Sequence, residues 1–166
     1  GGTQRPSQLT INGATTFQAA VSTSALTTTA AISNGTTLNV ASTSSIGANI
    51  TTTGTQTYTG AVTLSTDVTL TTTNNNVTFG STVNSDGGTA RDLTLSMGTG
   101  TVQFGGVVGG TYALDVISIT GALDLNAAIL NGASSAGATS LSVSTTSDLG
   151  ANVKTSNTQT YTSIDR

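Results

Sequence analysis

The feature that most constrains the fold of this chain is an internal repeat with an offset of 103 residues. The stretch Thr55-Gln-Thr-Tyr-Thr59 returns as Thr158-Gln-Thr-Tyr-Thr162, and more than half of the positions in 36–59 carry the same residue at 139–162. Other pairs are conservative, such as Ile50 with Val153. A long internal repeat favours an architecture of stacked, similar units.

Short triplets of the form apolar, small polar, apolar recur along the chain. Such alternation is the period-2 signal of a strand with one buried face, and the Gly, Asn, Ser and Thr clusters between the triplets are turn signals. No segment shows a sustained helical period. Five of the triplets start at positions 38, 62, 93, 117 and 141, so that three of the four steps are equal, the second is longer, and together they make up the long repeat. These steps predict stacked coils of roughly 24 residues, a period in the range of solenoid repeats.

Each coil carries three apolar clusters, which implies three sides that face one axis. Ile46 and Ile50 follow the Leu38 triplet at the same offsets at which Leu149 and Val153 follow the Leu141 triplet. We therefore predict an all-β fold, a parallel β-helix (β-solenoid) of about six coils. It would form a single domain over residues 8–166, after an irregular lead-in at 1–7. One interior column would hold the first residues of the five triplets, Leu38, Val62, Leu93, Ile117 and Leu141.

An antiparallel sandwich of short Thr-rich strands is the alternative fold, because its strands would show similar alternation. A sandwich gives no reason for a regular step between triplets, or for a long repeat built from such steps.

Two tyrosines occupy equivalent positions in the repeat. Tyr58 and Tyr161 each stand just before the place where a new coil starts, and Tyr112 falls near the same place. We expect these rings to pack over a corner of the coil, with a carbohydrate-stacking platform as the alternative. Arg91 and Asp115 stand at the same place in successive coils, which predicts an exposed, stacked ion pair of about 0–1 kcal/mol.

The composition argues against catalysis and against several classes of partner. The chain has no His and no Cys, which excludes nucleophilic triads and zinc sites, and its seven acidic residues are spread along the sequence. We expect no enzyme activity, no cofactor and no metal. Only 7% of residues are charged and the net charge is −3, without a basic patch. We therefore expect neither nucleic-acid binding nor membrane insertion.

Threonine runs such as Thr51-Thr-Thr53 suggest an ice-binding face. That face needs Thr-x-Thr at the same place on every coil, whereas the outward column at Asn39, Thr63 and Thr94 has one polar residue per triplet. The sequence therefore disfavours ice binding.

The residues around the repeated tyrosine also carry a family resemblance. The segments 53–64, Asp67-Val-Thr-Leu70 and Asn76-Val-Thr-Phe-Gly-Ser-Thr-Val83 resemble the repeat region of large bacterial surface proteins, the filamentous-haemagglutinin-like β-strand-repeat adhesins. The resemblance spans roughly residues 33–162. It implies a right-handed β-helix on the outside of a Gram-negative cell, acting as a fibrous stalk or adhesin shaft.

The function expected from the resemblance is that of a structural component of an extracellular filament or surface stalk. Its partners would be copies of itself stacked head to tail, or flanking repeats of a parent chain. The chain stops where the first repeat copy continues with Gly60-Ala-Val-Thr-Leu64, which leaves an open coil as a template for another strand. The alternatives are a glycan-binding adhesin module, with surface glycans as partners, and a phage fibre shaft.

Overall fold

A computed structural model describes residues 6–131 and 135–165 of the chain. The described part is all-β, a β-solenoid of about seven turns with about 21 residues each. The predicted fold class is therefore confirmed, with coils that are more numerous and on average shorter than the steps between triplets indicate. Of the predicted lead-in, residues 1–5 lie outside the described residues, and Pro6 and Ser7 reach the first strand without regular structure.

The strands are short in the first half of the chain and long in the second. The first thirteen are β1 (Gln8–Ile11), β2 (Thr15–Thr16), β3 (Val21–Thr23), β4 (Ala25–Thr28), β5 (Ile32–Gly35), β6 (Leu38–Val40), β7 (Ser44–Ile46), β8 (Ile50–Thr52), β9 (Gln56–Tyr58), β10 (Val62–Leu64), β11 (Val68–Thr71), β12 (Val77–Phe79) and β13 (Val83–Ser85). The others are β14 (Leu93–Phe104), β15 (Leu114–Leu125), β16 (Leu130–Asn131), β17 (Ser135–Ala136), β18 (Ala138–Leu149) and β19 (Gln159–Asp165).

The strands form three faces around one interior. The first face consists of β1, β4, β7, β10 and β13 in parallel, extended by single bridges at Val108, Ile129 and Val153. The second face contains β2, β5, β8 and β11, and the third contains β3, β6, β9 and β12. The long strands β14, β15 and β18 bend around the corner between these two faces, so that each serves both. β16 and β17 pair with each other in an antiparallel hairpin that is a separate two-stranded sheet.

The predicted interior column is correct in burial and wrong in arrangement. All five residues are buried at 0–2% exposure. Leu93, Ile117 and Leu141 do share one column on the second face, whereas Leu38 lies on the third face and Val62 on the first. The reason is that the early coils have short sides, with a new strand starting at each of positions 38, 44, 50, 56 and 62. The step from Leu38 to Val62 therefore passes four sides, and only in the long-strand region does an equal step cover one coil.

Close backbone contact between coils is visible at the corner that joins the third face to the first. Gly60 lies directly against the backbone of Ser42 in the preceding coil, and an added Cβ atom would collide with the Ser42 carbonyl group. The corner therefore requires glycine for close approach rather than for an unusual backbone angle.

Candidate interaction surfaces

The largest side chains of the interior form a stack of three aromatic rings on the third face. Tyr58, Phe79 and Phe104 stand in register on successive coils. The ring centroids are 5.4 Å apart for Tyr58 and Phe79, and 5.2 Å apart for Phe79 and Phe104. The expectation that Tyr58 packs over a corner is wrong, since its ring is fully buried in the core. We call these three rings the aromatic stack.

The tyrosine can be enclosed because a buried glutamine accepts its hydrogen bond. The Tyr58 hydroxyl donates to Gln56 Oε1 at 2.9 Å. Gln56 Nε2 lies 3.3 Å from the Ile50 carbonyl oxygen, 3.2 Å from Thr52 Oγ1 and 3.0 Å from the Thr71 carbonyl oxygen of the next coil. Burial raises the pKa of the Tyr58 phenol, so the phenol remains a neutral donor. The Gln56 side-chain amide therefore links the Tyr58 hydroxyl, residues 50 and 52 of its own coil, and Thr71 of the next coil.

The second copy of the repeat rebuilds the same local corner at the last strand. Gln159 Nε2 donates to the Val153 carbonyl oxygen at 3.3 Å, and the Tyr161 hydroxyl donates to Gln159 Oε1 at 3.0 Å. Thr155 Oγ1 donates to the Asn157 carbonyl oxygen, as Thr52 Oγ1 does to that of Gly54. The repeat thus encodes a corner with its own hydrogen bonds.

The two corners differ in where they sit. Tyr58 lies on the third face, whereas Tyr161 pairs with Val143 on the second. Tyr58 is fully buried, while Tyr161 is partly exposed and Gln159 is exposed. Among the described strands, β19 pairs only with β18, and 47% of Ile164 is exposed on it. Within the described residues, the corner at Gln159 and Tyr161 on β19 therefore has no further strand stacked on it.

The predicted ion pair is wrong in its partner. Asp115 does stack on Arg91, since its backbone amide donates to the Arg91 carbonyl oxygen at 2.9 Å. The Arg91 guanidinium instead pairs with Asp86 at 3.2 Å, five residues earlier in the same loop. This hydrogen bond with Arg91 holds the pKa of Asp86 below its usual range. The register between coils stacks the backbones of Arg91 and Asp115. The long arginine side chain can still pair with any carboxylate that it reaches, and here this is Asp86.

Insertions widen one corner of the solenoid in consecutive coils. The corner between the first and second faces takes three residues in the early coils, as at 47–49 and 65–67. It expands to seven residues at 86–92 and to five at 109–113, and the next coil carries the β16–β17 hairpin there. We call residues 86–92 and 109–113 the wide corner. An open cavity of about 210 Å³ lies at this corner, lined by Ser85 and by residues 87–90 and 111–113.

Aspartates that are far apart in sequence form an outward column on the third face. Asp124, Asp148 and Asp165 are direct register partners on β15, β18 and β19. The Asp124 carboxylate accepts hydrogen bonds from Gln103 Nε2 at 2.8 Å and from Asn126 Nδ2 at 2.9 Å. Asp148 and Asp165 are exposed. The aspartates are therefore spread in the sequence and gather only through the coil register.

Asp148→Asn is expected to raise the free energy of unfolding by about 0.5–1 kcal/mol at low salt. The mutation removes the middle charge of three that stand about 4.8 Å apart along the sheet, a spacing at which a like pair costs about 1 kcal/mol in water. Thermal unfolding in 10 mM and 1 M NaCl measures the effect, which should vanish at the higher salt concentration. Asp115→Asn is the control, because its register neighbours are Arg91 and Thr139 rather than aspartates.

Asparagine and aspartate side chains also bind the next coil, a role that the sequence did not reveal. Asn49 Oδ1 accepts from the Thr69 amide at 2.8 Å, and Asn76 Oδ1 accepts from the Thr101 amide at 2.9 Å. Asp92 Oδ1 accepts from the Val116 amide at 3.0 Å. The sequence does place an Asn or Asp just before several triplets, which is the signal that could have predicted this role. In the structure these side chains accept a backbone hydrogen bond from the next coil, in addition to standing in a turn.

The described residues contain no helix that could cross a membrane. They also contain no group of three or more acidic, histidine or cysteine side chains arranged to hold a metal ion, the aspartate column included. Comparison of the chain with family models, with curated proteins and with solved structures finds no match.

Proposed function

We propose that this chain is a rod segment of a bacterial extracellular filament or surface stalk. In this proposal, the rod lengthens by stacking of a further coil on β19, supplied by a second copy of the chain or by following repeats of a parent chain. The observation that carries the proposal is the corner at Gln159 and Tyr161. It has the internal hydrogen bonds of the corner at Gln56 and Tyr58, without a covering coil among the described residues.

The mechanical basis of the proposal is the repetition of contacts along the axis. Each coil binds its neighbours through parallel backbone ladders and through aliphatic columns such as Ile50, Leu70, Leu95 and Ile119. An arrangement in which every unit contacts only its neighbours supports growth along one axis. Open head-to-tail contacts of this kind generate filaments rather than closed oligomers.

Tyr161→Asp is expected to shorten or abolish assemblies of this chain. In the proposed stack, a coil over β19 buries the Tyr161 ring, and an aspartate there would leave a buried charge without a partner. Sedimentation velocity over a range of protein concentrations, with negative-stain microscopy of the same samples, measures the effect. The wild-type chain should form rods whose lengths are multiples of one unit.

Thr160→Asp serves as the matched control, because Thr160 lies on the same strand and alternation directs its side chain to the outside. Tyr161→Asp should lose assembly and Thr160→Asp should keep it. Monomers at every concentration of the wild-type chain would contradict stacking of copies, and equal loss in both variants would contradict the role of Tyr161.

A further inference from the structure

We propose that the wide corner is a binding site for a neutral saccharide, with one sugar ring stacked on Tyr112. This inference goes beyond the rod function, since a rod needs only the three-residue corners that its early coils have. Insertions that recur at the same place in a stacked repeat are a common location of binding surfaces. Here they recur in consecutive coils at the corner between the first and second faces.

Exposed apolar surface is concentrated at this corner. Three large hydrophobic side chains are exposed among the described residues: Tyr112 at 50%, Val116 at 37% and Ile164 at 47%. Ile164 lies on the last strand, whereas Tyr112 and Val116 lie within and just after the wide corner. The other two tyrosines differ from Tyr112, because each donates its hydroxyl to a glutamine. Tyr112 is thus a half-exposed aromatic ring that lines an open cavity.

The position of the Tyr112 ring is fixed by the opposite loop. Gly87 has φ +90°, and a Cβ atom added there would stand 2.8 Å from Tyr112 Cζ, so the ring rests on the glycine backbone. Side chains at the end of β13 also hold the backbone of the 109–113 loop. Asn84 Oδ1 accepts from the Thr111 amide at 2.9 Å, and Ser85 Oγ donates to the Ala113 carbonyl oxygen at 2.8 Å. The same Ser85 oxygen accepts from the Arg91 amide at 2.9 Å, which orders the loop before any ligand arrives.

The polar groups beside the ring select the class of ligand. Asp86 and Arg91 are paired, and their side chains are 31% and 24% exposed, so that a carboxylate and a guanidinium are both accessible in the loop whose Gly87 supports the Tyr112 ring. The guanidinium Nε is buried and makes no hydrogen bond within the described structure. Sugar hydroxyls can donate hydrogen bonds to the carboxylate and accept them from the guanidinium. The C–H face of the same sugar can pack on the aromatic ring.

Charge and size exclude the main alternatives. The only cation of the wide corner, Arg91, is already matched by Asp86, and Asp92 follows it, so an anionic ligand would meet no excess of positive charge. The cavity, at about 210 Å³, is below the roughly 300–1,000 Å³ of sites that enclose a drug-sized apolar ligand. Its open form instead suits one ring of an oligosaccharide held at the surface.

The test uses an array of neutral oligosaccharides of glucose, galactose, mannose and N-acetylglucosamine, with sialylated and sulfated glycans as competitors. We expect binding of at least one neutral glycan with a Kd of about 1 mM, since a shallow site buries little of its ligand. Saturation-transfer NMR with the matching methyl glycoside then measures the affinity for variants. Tyr112→Ala should weaken binding tenfold or more, and Tyr112→Phe should retain it, because Phe keeps the ring.

Gly87→Ala tests the geometry, because the added methyl group would stand against the Tyr112 ring and alanine is strained at φ +90°, so that the ring and its supporting loop must shift. It should weaken binding severalfold. Thr78→Ala, on the outer side of β12 and away from the wide corner, is the control and should bind as the wild-type chain does, and circular dichroism confirms that each variant is folded. The proposal is overturned if no neutral glycan binds, if only anionic glycans bind, or if Tyr112→Ala binds as well as the wild type.

Discussion

Phe79→Ala is expected to lower the free energy of unfolding by about 3–5 kcal/mol, the usual range for truncation of a fully buried phenylalanine. Phe79 is 1% exposed and lies between the rings of Tyr58 and Phe104, with one ring on the coil before it and one on the coil after it. Removal of the middle ring takes away two stacked contacts and leaves a cavity that β-strands held by backbone ladders on both sides cannot close. The aromatic stack therefore makes truncation at this position costly.

Guanidinium chloride unfolding followed by circular dichroism measures the loss. Thr78→Ala is the matched control, since it lies on the same strand with its side chain on the outer side, and it should change stability by less than about 0.5 kcal/mol. Phe79→Leu should fall between the two, because it keeps apolar volume and loses the ring stacking. A Phe79→Ala cost below about 1 kcal/mol would show that the interior repacks and that the stack is not a stabilising element.

Gln56→Leu is expected to cost about 2–3 kcal/mol, although leucine is apolar and close to glutamine in volume. The mutation deprives the buried Tyr58 hydroxyl of its acceptor, and the carbonyl oxygens of Ile50 and Thr71 of their side-chain donor. A buried polar group without a partner costs more than the hydrogen bond contributed, because water cannot replace the missing partner. The chain provides its own control in Gln159→Leu, which breaks the same local hydrogen bonds at an exposed position.

The difference between the two glutamine variants is the informative quantity. We expect Gln159→Leu to cost less than about 0.5 kcal/mol, because water reaches that corner. A double-mutant cycle of Gln56→Leu with Tyr58→Phe should show strong coupling, since the second mutation removes the orphaned hydroxyl. Equal costs for the two glutamines in the isolated chain would contradict burial as the cause. If the chain assembles through β19, the cost of Gln159→Leu should rise with protein concentration, which links this measurement to the proposed filament.

The three tyrosines have similar positions in the sequence repeat but different environments in the structure. Tyr58, Tyr112 and Tyr161 all stand near the beginning of a triplet, yet one belongs to the core, one to an open cavity and one to the last strand of the stack. The sequence could place each tyrosine next to a corner, but exposure depends on what the neighbouring coil puts above and below it. For the same reason, Arg91 stacks on its predicted neighbour Asp115 through the backbone and pairs with Asp86 through its side chain.

What the sequence by itself determined is local. Alternation in triplets such as Leu93-Thr-Leu95 set the strands and their buried residues, three apolar clusters per coil set the three faces, and the repeated Gln-Thr-Tyr set a corner with its own hydrogen bonds. Each of these depends on side chains a few residues apart, which the alternation of a strand and the geometry of one corner are enough to fix.

Only the tertiary structure decided which triplets share a column. Leu38, Val62 and Leu93 lie on three different faces. A new strand starts at each of positions 38, 44, 50, 56 and 62, so four sides separate Leu38 from Val62, and the wider corners at 72–76 and 86–92 change the spacing again before Leu93. The lengths of the corners are settled by backbone hydrogen bonds between residues 17 to 25 positions apart, which no local pattern specifies. That register aligned Asp124, Asp148 and Asp165 in one column and placed the wide corners of successive coils one above another.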